Sequence, residues 1–179
     1  GEGDEDAAAV AAMTSGAADL AKRIGRGRAR LSIAVSSFVP KSHTPFETEP
    51  FAGETVLRRR QRLVREALPR GVRVSFHDVG ASLVEASLAR GGRGSDALVE
   101  RAWRGGARFD GWSEHFDLRI WREAAADCGV TLGEPAMADA LAAPWREAVD
   151  PGVDASFLVE ERRKAQEGLR TEDCRSGRC

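Results

Sequence analysis

Tyrosine and asparagine are absent from this 179-residue chain, and lysine occurs only at Lys22, Lys41 and Lys164. With abundant alanine and glycine, that bias marks a GC-rich genome, so the accompanying excess of arginine says little by itself about function. Three cysteines, Cys128, Cys174 and Cys179, are too few for a disulfide framework. No apolar run approaches the roughly 20 residues of a membrane-spanning helix. No basic, apolar, small-residue series marks a secretion signal, so the expected compartment is the cytoplasm. A net charge of −1 excludes a global field that would recruit nucleic acid or a membrane surface. What is present is an ordinary globular composition, 42% apolar and 31% charged, which argues against disorder. The chain starts at Gly1 without methionine and stops at Cys179, and it reads as a truncated piece of something longer.

Periodicity predicts a helix from Asp4 to Ile24, with Gly3 as N-cap, acids in its first turn, and an apolar stripe of Val10, Met13, Ala17, Leu20 and Ile24. Alternation of Leu31, Ile33 and Val35 predicts a strand over Arg30–Phe38. Pro40, Pro45 and Pro50 hold the next segment extended and irregular. A helix over 54–68 and a strand through Val72, Val74 and Phe76 follow, the strand ending at His77-Asp78. Helices are predicted at 82–90, 95–104, 117–128 and 154–166, with Gly129 as a C′ residue and a loop-rich stretch over 130–152. The order is α/β at the start and mostly helical afterwards.

In barrels of alternating strands and helices, active-site groups stand on loops after the carboxyl ends of the strands. The loop after the first strand presents Ser37, Lys41, His43 and Thr44 on a proline-stiffened backbone, and His77 follows the second strand. A second constellation is Asp110, Trp112, Glu114 and His115, where a carboxylate beside an imidazole suits proton transfer. No two of His43, His77 and His115 share a helix-face spacing, which disfavours a histidine metal site. Cys174 and Cys179 are candidate ligands of an incomplete zinc or iron–sulfur site. Cys128, at a helix end, is expected to serve packing.

Two long motifs carry a resemblance. Ser36-Ser37-Phe38-Val39-Pro40-Lys41-Ser42-His43-Thr44-Pro45-Phe46 is similar to the segment after the sixth barrel strand of radical S-adenosylmethionine enzymes. The opening Gly1-Glu2-Gly3-Asp4-Glu5-Asp6 resembles the turn after their fifth strand. His77-Asp78, Glu85, Ala89-Arg90-Gly91 and Gly106-Ala107-Arg108-Phe109-Asp110-Gly111-Trp112-Ser113-Glu114-His115-Phe116 follow in the order of the C-terminal region of the large bacterial members that carry an N-terminal cobalamin-binding domain. The likeness spans nearly the whole chain. Gly92 departs from it, standing where the family has an acid.

The resemblance implies a C-terminal portion of a partial (β/α) barrel over 1–80, a helical extension over 81–168 and a polar, cysteine-containing tail over 169–179. It implies a 4Fe–4S cluster and S-adenosylmethionine in the full-length protein, with the use of cobalamin open. It puts Ser37, Lys41, His43 and Thr44 on the cofactor side, and His77, Asp110, Glu114 and His115 nearest a substrate of unknown identity. The Cys-x-x-x-Cys-x-x-Cys that holds the cluster is not in these residues. The chain is therefore expected to need the N-terminal part of the same polypeptide and to be inactive, with no cofactor bound, alone. The rival expectation is a non-catalytic RNA- or protein-binding module that uses Arg58, Arg59, Arg62 and Arg65 on one helix.

Overall fold

The computed structural model describes residues 3–26, 29–92, 94–133, 145–173 and 175. Helix α1 (Asp4–Arg23) leads to strand β1 (Ser32–Val35), helix α2 (Gly53–Ala67) and strand β2 (Arg73–Phe76). Helices α3 (Val79–Arg90), α4 (Ser95–Arg104), α5 (Leu118–Asp127), α6 (Trp145–Ala148) and α7 (Ala155–Gln166) complete the described elements. This is an α/β arrangement with little strand. No described helix is long and apolar enough to cross a membrane.

The two strands pair in parallel, Ser32 opposite Arg73 and Val35 opposite Phe76, with α2 as the crossover between them. Ile33, Val35, Val74 and Phe76 are half-buried, whereas Ser32, Ala34, Arg73 and Ser75 are exposed on the other face. Both strands are shorter than the alternation predicts. Beyond Val35 the chain turns into the proline loop, and beyond Phe76 Asp78 already caps the next helix by accepting a 2.9 Å hydrogen bond from the Ala81 amide.

That cap starts α3 at Val79, earlier than predicted. Gly80 sits in its first turn for steric reasons: a Cβ there would lie 2.8 Å from Cδ2 of Leu118, at the start of α5. At the other end of α5, Gly129 adopts φ 65°, and the Val130 amide bonds the Ala125 carbonyl at 2.8 Å. This is the predicted glycine stop.

The stripe predicted for α1 is not the one it buries. Gly3 and the acids do open the helix, the Gly3 amide donating to Asp6 at 2.6 Å. Ala7, Ala11 and Thr14 are the buried residues, while Met13, Leu20 and Ile24 are 70%, 48% and 64% exposed. Small side chains let α1 lie close against α2, and the larger apolar residues fall on a neighbouring face that nothing among the described residues covers.

Two apolar cores flank α3. One gathers Val39, Phe51 and Leu57 against Val79, Leu83 and Ala86 of α3. The other gathers Leu98, Ala107 and Trp121 against Val84, with Leu88 packed on it. Val79, Leu83 and Ala86 recur at intervals of four and three, whereas Val84 and Leu88 fall roughly half a turn round. The two cores therefore occupy opposite faces of one helix, and Leu132 touches both. Helix α7 buries none of its residues, and Arg162 ties it to Glu49 at 2.8 Å.

Candidate functional site

The proline loop is rooted in the first core. Val39 and Pro40 are buried at its start and Phe51 at its end, so the segment between them is held at both feet. Its polar residues reach along α3. Lys41 pairs with Glu85, the Ser42 hydroxyl donates to the Ala89 carbonyl at 3.4 Å, and Arg90 donates to the Glu49 carbonyl at 2.6 Å. The Thr44 hydroxyl closes a turn on the Lys41 carbonyl at 2.8 Å.

His43 adopts φ 57°, its amide donates to the Glu47 carboxylate at 2.8 Å, and its Nε2 is buried without a hydrogen-bond partner among the described residues. Burial depresses the Arg90 guanidinium below its ordinary value, an effect partly offset by the nearby Glu47 carboxylate. Ser37 is half-buried just beyond β1.

His77 stands at a different place. Its amide donates to the Val35 carbonyl at 2.9 Å, extending the sheet ladder past β2, and Gln61 of α2 donates to its carbonyl at 2.9 Å. Its ring Nδ1 lies 2.9 Å from the hydroxyl of Ser82, which is fully buried. His77 is exposed and continues the series Arg73, Ser75 on the open face of the sheet. Its ring meets α3 at Ser82, about 5 Å of helix rise before the Glu85 that pairs with Lys41 and about 10 Å before Ala89. Among the described residues no hydrogen bond, ion pair or ring contact joins His77 to the loop's anchored residues, although their partners Ser82 and Glu85 stand one helical turn apart.

The second motif packs on the other face of α3. Ala107 is buried in the second core, and Phe116 is packed against it. Between them the chain turns outward, with the Trp112 amide on the Phe109 carbonyl at 2.9 Å and the His115 amide on the Trp112 carbonyl at 2.9 Å. Arg108 stacks over Trp103 with its guanidinium carbon 4.5 Å from the ring centroid. Phe109 meets Trp112 edge-on at 6.1 Å and His115 at 6.0 Å. Phe109 and Trp112 are 69% and 59% exposed, Glu114 and His115 are exposed, and Asp110 is half-buried. Next to them Asp117 caps α5, and its hydrogen bonds from Arg119 hold its carboxyl below the usual carboxylate range.

Backbone strain singles out both motifs. His43 and Phe109 are the non-glycine residues at positive φ among the described residues, each at 57°, and one falls in each motif. A bulky side chain in that region costs on the order of 1–3 kcal/mol, and such strain clusters at functional sites. Gly106, at φ 107°, lets the second motif leave α4. A Cβ there has room, its nearest neighbour being Ile120 Cδ1 at 4.0 Å, so the constraint lies in the backbone. Gly106→Ala is expected to lower unfolding stability by about 1–3 kcal/mol, read as an earlier urea midpoint.

Fe–S chemistry is not accommodated by the described residues. Among them no group of three or more His, Cys, Asp or Glu side chains is placed to hold a metal ion, and Cys128 is the one cysteine described, half-buried at the end of α5. Cys174 and Cys179 lie outside the described residues. The arginines of α2 are largely engaged: Arg58 with Glu54 at 2.8 Å, Arg59 with Asp4 at 2.8 Å, and Arg65 over the Phe76 ring at 4.8 Å.

Sequence reasoning missed the residues that hold the candidate groups. Ser82 and Gln61 fix His77, and Glu49 receives both Arg90 and Arg162. A signal for Ser82 did exist, in a serine one helical turn past the Asp78 cap, where its hydroxyl can return to a carbonyl four residues back. No protein-family model, no curated protein and no solved structure matches this chain.

Proposed function

We propose that this chain is the C-terminal portion of a radical S-adenosylmethionine enzyme of the cobalamin-binding type, supplying the last strand–helix–strand unit of its barrel and a helical region that closes over substrate. The observation that carries this reading is a parallel two-stranded sheet with one face entirely exposed. Parallel sheets occur almost only with both faces covered, which supports reading these two strands as part of a larger assembly. The uncovered Met13, Leu20 and Ile24 of α1 support the same conclusion from the outer layer.

The open face carries Ser32, Ala34, Arg73 and Ser75, and His77 ends that face at the carboxyl edge where such enzymes work. The 4Fe–4S cluster would supply the electron that cleaves S-adenosylmethionine, and its ligands belong to residues other than those described. This chain's own contribution is to position Ser37, Lys41, His43 and Thr44 near the cofactor side and His77, Asp110, Glu114 and His115 near the substrate. The RNA-binding alternative is less favoured, because three of the four arginines it uses are held by acids or by Phe76.

Anaerobic reconstitution of the gene product that contains this chain tests the proposal. Iron and sulfide incorporation with cleavage of S-adenosylmethionine to 5′-deoxyadenosine is expected, and His115→Ala should keep the cluster but cut turnover by on the order of 100-fold, as for a lost general acid or base. A gene product without Cys-x-x-x-Cys-x-x-Cys, or one that takes up no cluster, would overturn it. Salt-dependent RNA binding by the chain alone would instead favour the rival module.

A further inference from the structure

His77 is held at its amide, its carbonyl and its ring. Its backbone amide is fixed by Val35, its carbonyl by Gln61, and its ring by the buried Ser82 hydroxyl at 2.9 Å. The Ser82 hydroxyl has one proton, and the Asp78 carbonyl stands 3.0 Å from it. That carbonyl has two lone pairs and also takes the Ser82 amide at 3.0 Å. If the hydroxyl donates to the carbonyl, its oxygen is left to accept from the ring, and three hydrogen bonds form. If the hydroxyl donates to the ring instead, only two form. One net hydrogen bond is worth about 1 kcal/mol, or roughly fivefold in the ratio of the two tautomers.

We infer that Ser82 is a positioning residue that biases His77 roughly fivefold toward the Nδ1–H tautomer and so presents the Nε2 lone pair on the open face of the sheet, as the acceptor for an N–H or O–H group of the substrate. Which ring nitrogen carries the proton is set by the partner of the other one, and here that partner is shielded from solvent. Nε2 can then accept a hydrogen bond, or take the proton itself and become imidazolium, with no rearrangement of the ring. The inference rests on the proposed function for the location of the substrate, but the state of the ring is measurable without it.

The test is long-range 1H–15N correlation of the imidazole nitrogens in the full chain at a pH where they are neutral. Only three histidines contribute, and His77→Gln identifies the His77 signals by their loss. Nε2 of His77 is expected shifted toward the unprotonated, pyridine-like position. Ser82→Ala should move the tautomer ratio roughly fivefold toward Nε2–H, and Ser82→Thr, which keeps the hydroxyl, should restore it. A wild-type ring already protonated at Nε2, or a ratio that Ser82→Ala leaves unmoved, overturns the inference whether or not the cluster chemistry is found. In the reconstituted enzyme, His77→Gln should reduce turnover while iron content stays constant. Unchanged turnover would overturn the substrate contact and leave the cofactor reading standing.

Discussion

Phe51→Ala is expected to destabilise the chain by about 3–5 kcal/mol, enough to remove much of the stability of a domain this size. Phe51 is 1% exposed and closes the proline loop against α3. The cost of truncating an aromatic depends on whether the surroundings can collapse into the vacated space. Here they are restrained: Gly133 stands so close that a Cβ on it would lie 3.9 Å from the Phe51 ring and 3.0 Å from Leu83 Cδ2. Backbone on one side and a helix on the other leave little to move inward. Urea unfolding monitored by circular dichroism reads the effect as a shift of midpoint at constant slope. A loss below about 1 kcal/mol would mean that the loop is not anchored through this ring, since even modest core truncations exceed that.

Arg90→Met is expected to cost about 3 kcal/mol, for a reason unlike that of Phe51. The methionine fills much of the same volume, but Arg90 is 4% exposed and Glu47, whose charge it faces, is 7% exposed. Removing the cation leaves a buried carboxylate to be accommodated by the His43 amide and its other neighbours, and the Glu49 carbonyl loses its 2.6 Å donor. Removing one member of a buried charged pair costs more than the pair contributed. The double variant Arg90→Met, Glu47→Gln should therefore be more stable than Arg90→Met alone. If the two losses simply add in urea unfolding, the residues are not coupled and the polar cluster beneath the loop is not a unit.

Much of the element order was legible because its cues are local. Ile33 and Val35, then Val74 and Phe76, alternate as strand residues must, and Gly129 stops α5 where a left-handed residue is needed. What was not legible depends on partners distant in sequence. The stripe of Met13, Leu20 and Ile24 is the more apolar face of α1, yet the helix turns Ala7, Ala11 and Thr14 inward, where it packs on α2. Lys41 reads as a free cation on a loop, and nothing nearby in the sequence announces Glu85 on α3 as its partner.

The candidate site followed the same division. Both motifs were recognisable as residues in order, but the positive φ at His43 and Phe109 was not, since no glycine marks either position. That the proline loop meets α3 at Glu85, one turn past the Ser82 that holds His77, was equally hidden, because Lys41 and Glu85 stand 44 residues apart.

One helix serving as the wall between two cores has a consequence for how the molecule comes apart. Val79, Leu83 and Ala86 face one side of α3 while Val84 faces the other, so melting that helix empties both reservoirs of apolar contact at once. Neither half can open fully while the other stays shut, and the two behave as a single cooperative unit. The segments outside that coupling are α7, with no buried residue, and the outer face of α1. Fraying there leaves the shared helix intact, so the parts of the molecule that can be remodelled cheaply are those furthest from it.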